Sequence, residues 1–384
     1  SVMMTEPRGP IYMCYDAWLQ EQRLDHDVPL PPADAVRVPT RMAPDPKALA
    51  EAADLIAAAE RPVIIAEYVG REPDGFHALV ALAETAGIPV CDVDSRLNFP
   101  SRHSLNVSYS KDVFRNADLV LCLDTRDWER PTTELASATR EVTALVPASA
   151  TWIDIGFGDL ELSSWTLDYQ RLRHARLQIL ADTTLAIPAL TELLKTRIAA
   201  DPALRGRISA RAVEIGASSQ ARWEMWAREA RVDWDVSPTT LPRLASEVWS
   251  AIKDEDWVLT AGTLEQWTRK LWDFDRPYRH PGRSLGTATQ FGISLGVALA
   301  FGVLPALRAA GDLRNQMHES SGSTGSPYAR RLLSGLVVVE VALALVLLVG
   351  AGLMTRSFQK LLQVSPGFDA TNLVAARVLL PSTK

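Results

Sequence analysis

Few residues of this chain have the types and spacing that do chemistry. Asp92 and Asp94 stand one residue apart at the end of an apolar run and are followed by Ser95, a pattern that can ligate a metal ion or serve phosphotransfer. A strand end entering a loop commonly carries Asp and Ser as turn formers, and that reading is preferred. His103 is near Asp94 and Ser101, the residue types of a nucleophilic triad, but no strained Gly-x-Ser-x-Gly elbow accompanies them, so His103 reads as a surface-loop histidine. Cys14, Cys91 and Cys122 are far apart, with no Cys-x-x-Cys and no nearby pair of histidines. They indicate neither zinc nor a disulfide framework, but buried thiols in a reducing cytoplasm. Two short turns, Ala261-Gly262-Thr263 and Gly286-Thr287-Ala288, each precede a helical run and have the composition of helix caps. Trp223 and Trp226, at i, i+3 spacing, read as packing residues rather than a cofactor platform.

The elements that must position these residues follow a strand and helix alternation. From Pro46 an amphipathic run, PKALAEAADLIAAAE, leads through Arg61-Pro62 into the apolar strand VIIAEYVG, then helix GFHALVALAETAG, strand IPVCDV, and later the strands NADLVLCLD and ATWIDIG. Continuous Val, Ile and Leu strands between helices predict a doubly wound parallel sheet covered on both faces. Upstream, GPIYMCYD reads as a strand followed by the Pro-rich connector VPLPPADAVRVP. Residues 182–234 read as helical and rich in Arg, Ala and Glu. A second α/β pattern opens at Ser237 with helix LPRLASEVWSAIK, strand WVLTAG, helix TLEQWTRKLW and the Gly-spaced helix GTATQFGISLGVALA.

Beyond residue 300 the composition changes. Leu332 to Leu353 holds one ionisable group, Glu340, in 22 residues, the length of a bilayer-spanning helix. Arg330 and Arg331 precede it and favour entry from the cytoplasm, although Arg356 and Lys360 behind it weaken the charge asymmetry. A carboxylate at the depth of Glu340 must be protonated or paired, and contact with a partner helix is preferred over a proton relay. Phe291 to Leu307 has 17 uncharged residues, but Pro305 breaks its final turn, so it is not assigned to the membrane. Residues 301–384 hold eight Lys or Arg against four Asp or Glu, so the overall net charge of −6 leaves about −10 on residues 1–300. An acidic part without a clustered basic face excludes nucleic acid as a partner. The first 16 residues lack a basic start followed by an apolar stretch, so no signal peptide is expected there.

Residues 1–300 resemble a thiamine-diphosphate-dependent enzyme of the acetolactate synthase and benzoylformate decarboxylase type. The resemblance is carried by GPIYMCYD, RPVIIAEYVG, AETAGIPVCDVDSRLNFPSRHSLN, NADLVLCLD and GTATQFGISLGVALA, in that order and with about 90 residues between GPIYMC and NFPSRH. It implies 1–40 as the end of a pyrimidine-binding domain with a linker, 41–197 as a central domain, 198–236 as a helical linker and 237–300 as a truncated diphosphate-binding domain. It also implies thiamine diphosphate and Mg²⁺ as cofactors, with Ala261, Gly262, Thr263, Gly286, Thr287 and Ala288 facing the cofactor, the first turn offering free helix N–H groups to phosphate. The family's activating Glu has no counterpart here, and Gly311-Asp312 is followed by Leu313 where the family's Mg²⁺ motif has Gly. No catalytic residue and no metal ligand are therefore assigned, and cofactor binding is expected to be lost.

Residues 301–384 resemble the macrolide-exporter type of ABC permease, through FGVLPALRAA, a Gly/Ser linker, VVEVALALVLLVGAGL and SPGFDATNLVAARVLLP. This implies 301–331 as a cytoplasmic linker, 332–355 as a transmembrane helix and 356–384 as the start of an extracytoplasmic domain. The expectation is an inner-membrane protein with its enzyme-like part in the cytoplasm, contacting lipid and either a second copy of itself or other permease helices. The expected function is a fragment of a 2-keto acid lyase or carboligase, inactive alone, fused to a permease fragment. The alternative is a membrane-anchored module that binds a nucleotide-like ligand.

Overall fold

The computed structural model describes residues 2–6, 8, 11–16, 18, 21, 32, 37–93, 95–158, 174–260, 264–280, 282 and 292–297. The chain divides into two units, Ser1–Leu299 and Ala300–Lys384, and all described residues belong to the first.

Helix α1 (Pro46–Ala58) starts where Asp45 accepts the N–H groups of Lys47 and Ala48, with proline pre-set at its first position. It leads into β1 (Pro62–Ala66), then α2 (Pro73–Ala86), which stops at Gly87 in the left-handed region, and β2 (Val90–Asp92). The short α3 (Asp112–Arg115) precedes β3 (Leu119–Leu123). After α4 (Glu129–Thr132), β4 (Thr133–Leu135) and β5 (Val142–Ala144) form an antiparallel pair. The sheet is completed by β6 (Thr151–Ile155) and β7 (Leu177–Ile179). Its order is β2-β1-β3-β6-β7, and every neighbouring pair is parallel, with Ile64 of β1 opposite Val90 on one side and Leu121 on the other.

Side chains alternate across the strands. Ile64 and Ala66 pack with α1, α2 and the long α5 (Thr183–Ala200), whereas Val63 and Ile65 face Cys91, Phe114 and Cys122 on the other side. Both faces are buried, as the apolar strands require, and each fully buried Val, Leu or Ile adds about 1.5–3 kcal/mol. Helix α6 (Pro202–Glu229), capped by Asp201, clamps the N-terminal edge of the sheet. Arg211 donates to the carbonyl oxygens of Ala86, Gly87 and Glu60, Arg207 to that of Ala57, and Arg222 to that of Asn106. The first two of those acceptors are at the end of α2, where carbonyls have no partner within the helix.

Helices α7 (Leu241–Ile252) and α8 (Glu265–Leu271) follow. Trp257, Leu259, Trp272 and Phe274 pack there against Phe76 of α2 and Leu97, with Trp249 and Trp272 stacked 5.8 Å apart. Ser101 and Arg102 donate to the carbonyls of Trp272 and Leu271, fastening this cluster to the sheet domain.

Three sequence expectations are corrected. Ile11–Asp16 forms no strand, and Tyr12 is 91% exposed, because no neighbouring strand lies alongside among the described residues. Residues 257–260 likewise form no strand, since the Leu259 N–H bonds to the Arg279 carbonyl instead of a ladder. Cys14 is exposed, while Cys91 and Cys122 are buried. No helix among the described residues is long and apolar enough to cross a membrane. The segments expected at 301–331, 332–355 and 356–384 lie outside the described residues.

Candidate functional site at the switch point of the sheet

The strand order reverses between β1 and β3: the chain leaves β1 toward β2 on one side and leaves β3 toward β6 on the other. Two chains diverging in this way open a crevice outside the carboxyl ends of the strands, the usual ligand position in open α/β sheets. The residues leaving β1 are Glu67-Tyr68-Val69-Gly70-Arg71, and those leaving β3 are Asp124-Thr125-Arg126-Asp127.

Buried carboxylates and one amide set the shape of these loops. Glu67 accepts the backbone N–H groups of Arg126 and Asp127 at 2.6 and 2.9 Å and the Ser95 hydroxyl at 2.8 Å, tying both loops to one side chain. Asn98 is fully buried; its Nδ2 donates to the Glu67 carbonyl at 3.0 Å and to Asp92 Oδ1 at 2.7 Å, and its Oδ1 accepts the Gly70 N–H. Gly70 lies so close to this loop that a Cβ would fall 2.0 Å from the Leu97 carbonyl oxygen. Asp92 accepts the N–H groups of Asn98 and Phe99 at 2.8 and 3.1 Å. Its carboxylate is consumed by the loop, and Asp94 lies outside the described residues.

Asp124 holds a left-handed backbone, φ 46°, a conformation that costs a non-glycine residue about 1–3 kcal/mol and is retained where surroundings fix it. Those surroundings are Arg71 and the Thr183 hydroxyl, both bonded to Oδ2, and the Phe157 N–H at 3.3 Å from Oδ1. Asp182, the N-cap of α5, lies 3.6 Å from Arg71. Burial works against the charge on Arg71, and the carboxylates of Asp124, Glu6 and Asp182 outweigh it, raising its pKa above the ordinary guanidinium value.

The crevice encloses about 410 Å³, and Tyr68, Arg71, Arg96, Arg126 and Phe157 form much of its wall. The Arg126 guanidinium lies over the Tyr68 ring at 4.2 Å. Such a wall offers cationic forks and flat faces, the means of holding an anionic group beside a planar one. Sequence reading missed these residues. The signal was present in the arginines that follow two buried strands at once, in EYVGRE and DTRD.

The structure does not assemble the other candidates into a reactive group. Ser101 bonds to backbone atoms of Trp272 and Phe274, whereas His103 faces Glu84 at 3.2 Å and accepts the Leu105 N–H. Trp226 is buried against Tyr109, with Lys270 and Arg222 over its ring. Among the described residues no group of His, Cys, Asp and Glu is placed to hold a metal ion. Ala261, Gly262, Thr263, Gly286, Thr287 and Ala288 lie outside the described residues. The hydroxyls of Thr260, just before the first turn, and Ser294, in the helix after the second, are 2.6 Å apart.

No curated protein matches the chain. A provisionally assigned thiamin diphosphate-dependent enzyme of Mycobacterium smegmatis is similar at 22% identity over 41% of this chain and 30% of that one, with a TM-score of 0.32. Benzoylformate decarboxylase of Polynucleobacter necessarius is similar at 15% identity over 72% of this chain and 46% of that one, with a TM-score of 0.48. The chain thus spans less than half the length of either solved protein. Residues 49–152, from the first turn of α1 to the opening of β6, match the family described as thiamine pyrophosphate enzyme, central domain, and it is to this domain that the parallel α/β layer is similar.

Proposed function

We propose that the chain is a central domain and part of a diphosphate-binding domain of a thiamine-diphosphate-dependent 2-keto acid lyase or carboligase, joined near residue 300 to a segment of an ABC permease, and that it is catalytically silent alone. The observation carrying the enzyme half of this reading is the central-domain match over residues 49–152. The hydrogen bond between Thr260 and Ser294 supports it, because it brings together the chain on either side of the two Gly/Thr turns. Thiamine diphosphate, when bound, supplies a carbanion equivalent beside a 2-keto carbonyl. The turns that would face it lie outside the described residues. The membrane half rests on the apolar length of 332–353.

Two measurements test this reading. The purified chain with thiamine diphosphate and Mg²⁺ is expected to release no product from pyruvate or benzoylformate beyond a cofactor-free control, and turnover would overthrow the claim of silence. Cysteines placed at Ser323 and Ser382 are expected to be labelled from opposite sides of sealed cells, and equal labelling would remove the single span.

The crevice favours a second reading, a module that binds a nucleotide-like anion. Arg71, Arg96 and Arg126 converge there with Tyr68 at the switch point. ADP binding that is weakened about tenfold by Arg126→Ala, the loss of one charge-assisted contact, is the expected result. Affinity unchanged by Arg126→Ala would remove the crevice as the site.

A further inference from the structure

Three carboxylates, Glu6, Glu72 and Asp124, line the crevice beside its arginines. Glu6 lies beyond a short 3₁₀ turn, Val2–Met4, and its side chain is only 10% exposed. Glu6 Oε2 is 3.6 Å from Arg71 Nε, while Oε1 is 3.0 Å from Arg8 Nε. Arg8 in turn donates to Glu72 at 2.8 Å, so the segment is tied to the N-terminus of α2 as well as to Arg71. Glu6 and Arg8 both line the same 410 Å³ as Arg71 and Arg126. An acidic side chain on Arg71 offers it the charge that an incoming anion would offer, and a cation satisfied from within is a poorer site for a ligand of the same sign.

We propose that the segment carrying Glu6 and Arg8 is an autoinhibitory strap, in which Glu6 occupies the Arg71 end of the crevice as an internal substitute for an anionic ligand. The proposal rests on the anion-binding reading of the crevice. Binding then proceeds from the fraction of molecules in which Glu6 has left Arg71, and the apparent affinity is reduced by that fraction.

The test is calorimetric titration of the full chain with ADP, comparing wild type with Glu6→Gln, which keeps the shape of the side chain and removes its charge. Loss of one partly screened competing charge is expected to tighten ADP about fivefold. In parallel, saturating ADP is expected to speed tryptic cleavage after Arg8, because a displaced strap frees the guanidinium that Glu6 and Glu72 hold. Equal affinity in the two proteins, or weaker binding by Glu6→Gln, overturns the strap and leaves the crevice as a site. Cleavage at Arg8 unaffected by bound ADP overturns it as well. Absence of ADP binding in both proteins overturns the crevice reading itself, and the strap with it.

Discussion

Asp124 ties the loop after β3 to the loop after β1 and to the start of α5. It keeps a left-handed backbone in order to place one carboxylate against Arg71, Thr183 and the Phe157 N–H. Gly156 permits the approach, since a Cβ there would lie 2.4 Å from Asp124 Oδ1. Asp124→Ala removes the nearest counter-charge of a mostly buried guanidinium and a hydroxyl partner together, and a loss of about 2–4 kcal/mol is expected in urea unfolding. A loss below 1 kcal/mol would mean that Asp182 and Glu6 suffice for Arg71. His280 gives a pH-dependent counterpart. Burial first, then the positive charges of Arg269 and Arg96, lowers its pKa to about 3, while its Nδ1 accepts the Gly282 N–H. The unfolded chain, with an ordinary value of 6.5, binds the proton more readily. His280 therefore contributes stability above pH 6.5 that is lost as pH falls toward 3, by up to about 1.4 kcal/mol per pH unit. His280→Gln should flatten that part of the acid-stability curve relative to wild type, and parallel curves would show that the folded and unfolded chains bind the imidazole proton equally well. None of this was legible in the sequence, because neither a positive φ nor the burial of a loop histidine leaves a local pattern.

At the scale of elements, legibility followed the strength of the pattern. The first helix and the strands VIIA, LVLCL and WIDI were readable because a parallel strand buried on both faces needs an unbroken apolar run. Strand β7, LQI, is short and half polar, and the β4–β5 pair carries Thr, Glu and Ala on an open edge, so neither announced itself. The reverse error, WVLTAG, has a strand's composition but finds no ladder among the described residues; its Trp257 and Leu259 fill an aromatic cluster instead. The run read as a helical linker from 198 to 236 contains the clamp α6. A run of arginines on a helix ordinarily reads as a solvated face, and only the fold reveals that Arg211 reaches three carbonyl oxygens across the sheet edge. Burial lowers the pKa of Arg211 from its ordinary value, although it stays charged at any working pH. Arg211→Met retains much of the stem and removes the donors, leaving the end of α2 short of partners. A loss of about 2–3 kcal/mol is expected in thermal or urea unfolding. An unchanged midpoint would show that water replaces the guanidinium without penalty.

For the molecule as a whole, the placement of α6 to α8 changes what should survive proteolysis. Read from sequence alone, residues 41–195 hold a full alternation of strands and helices, and the Arg-rich stretch after them offers open sites for trypsin. In the structure Arg211 is engaged at the sheet edge, and Arg279 is buried, with its Nη1 on the Trp257 carbonyl at 2.9 Å and its guanidinium 4.5 Å from the Trp257 ring. Phe76 and Leu97 of the sheet domain share one apolar cluster with Trp257, Trp272 and Phe274. Opening that cluster would expose several aromatic side chains, each worth on the order of 2–3 kcal/mol of buried apolar area. The sheet domain and the chain to residue 280 should therefore stay associated as one folded unit after nicking, with the bonds after exposed Arg228 and Arg231 cut first and those after Arg211 and Arg279 cut slowly. Timed digestion of the full chain followed by mass spectrometry reads this directly. Early cleavage after Arg211, together with a surviving fragment that ends before α6, would show that the sheet domain stands without its clamp.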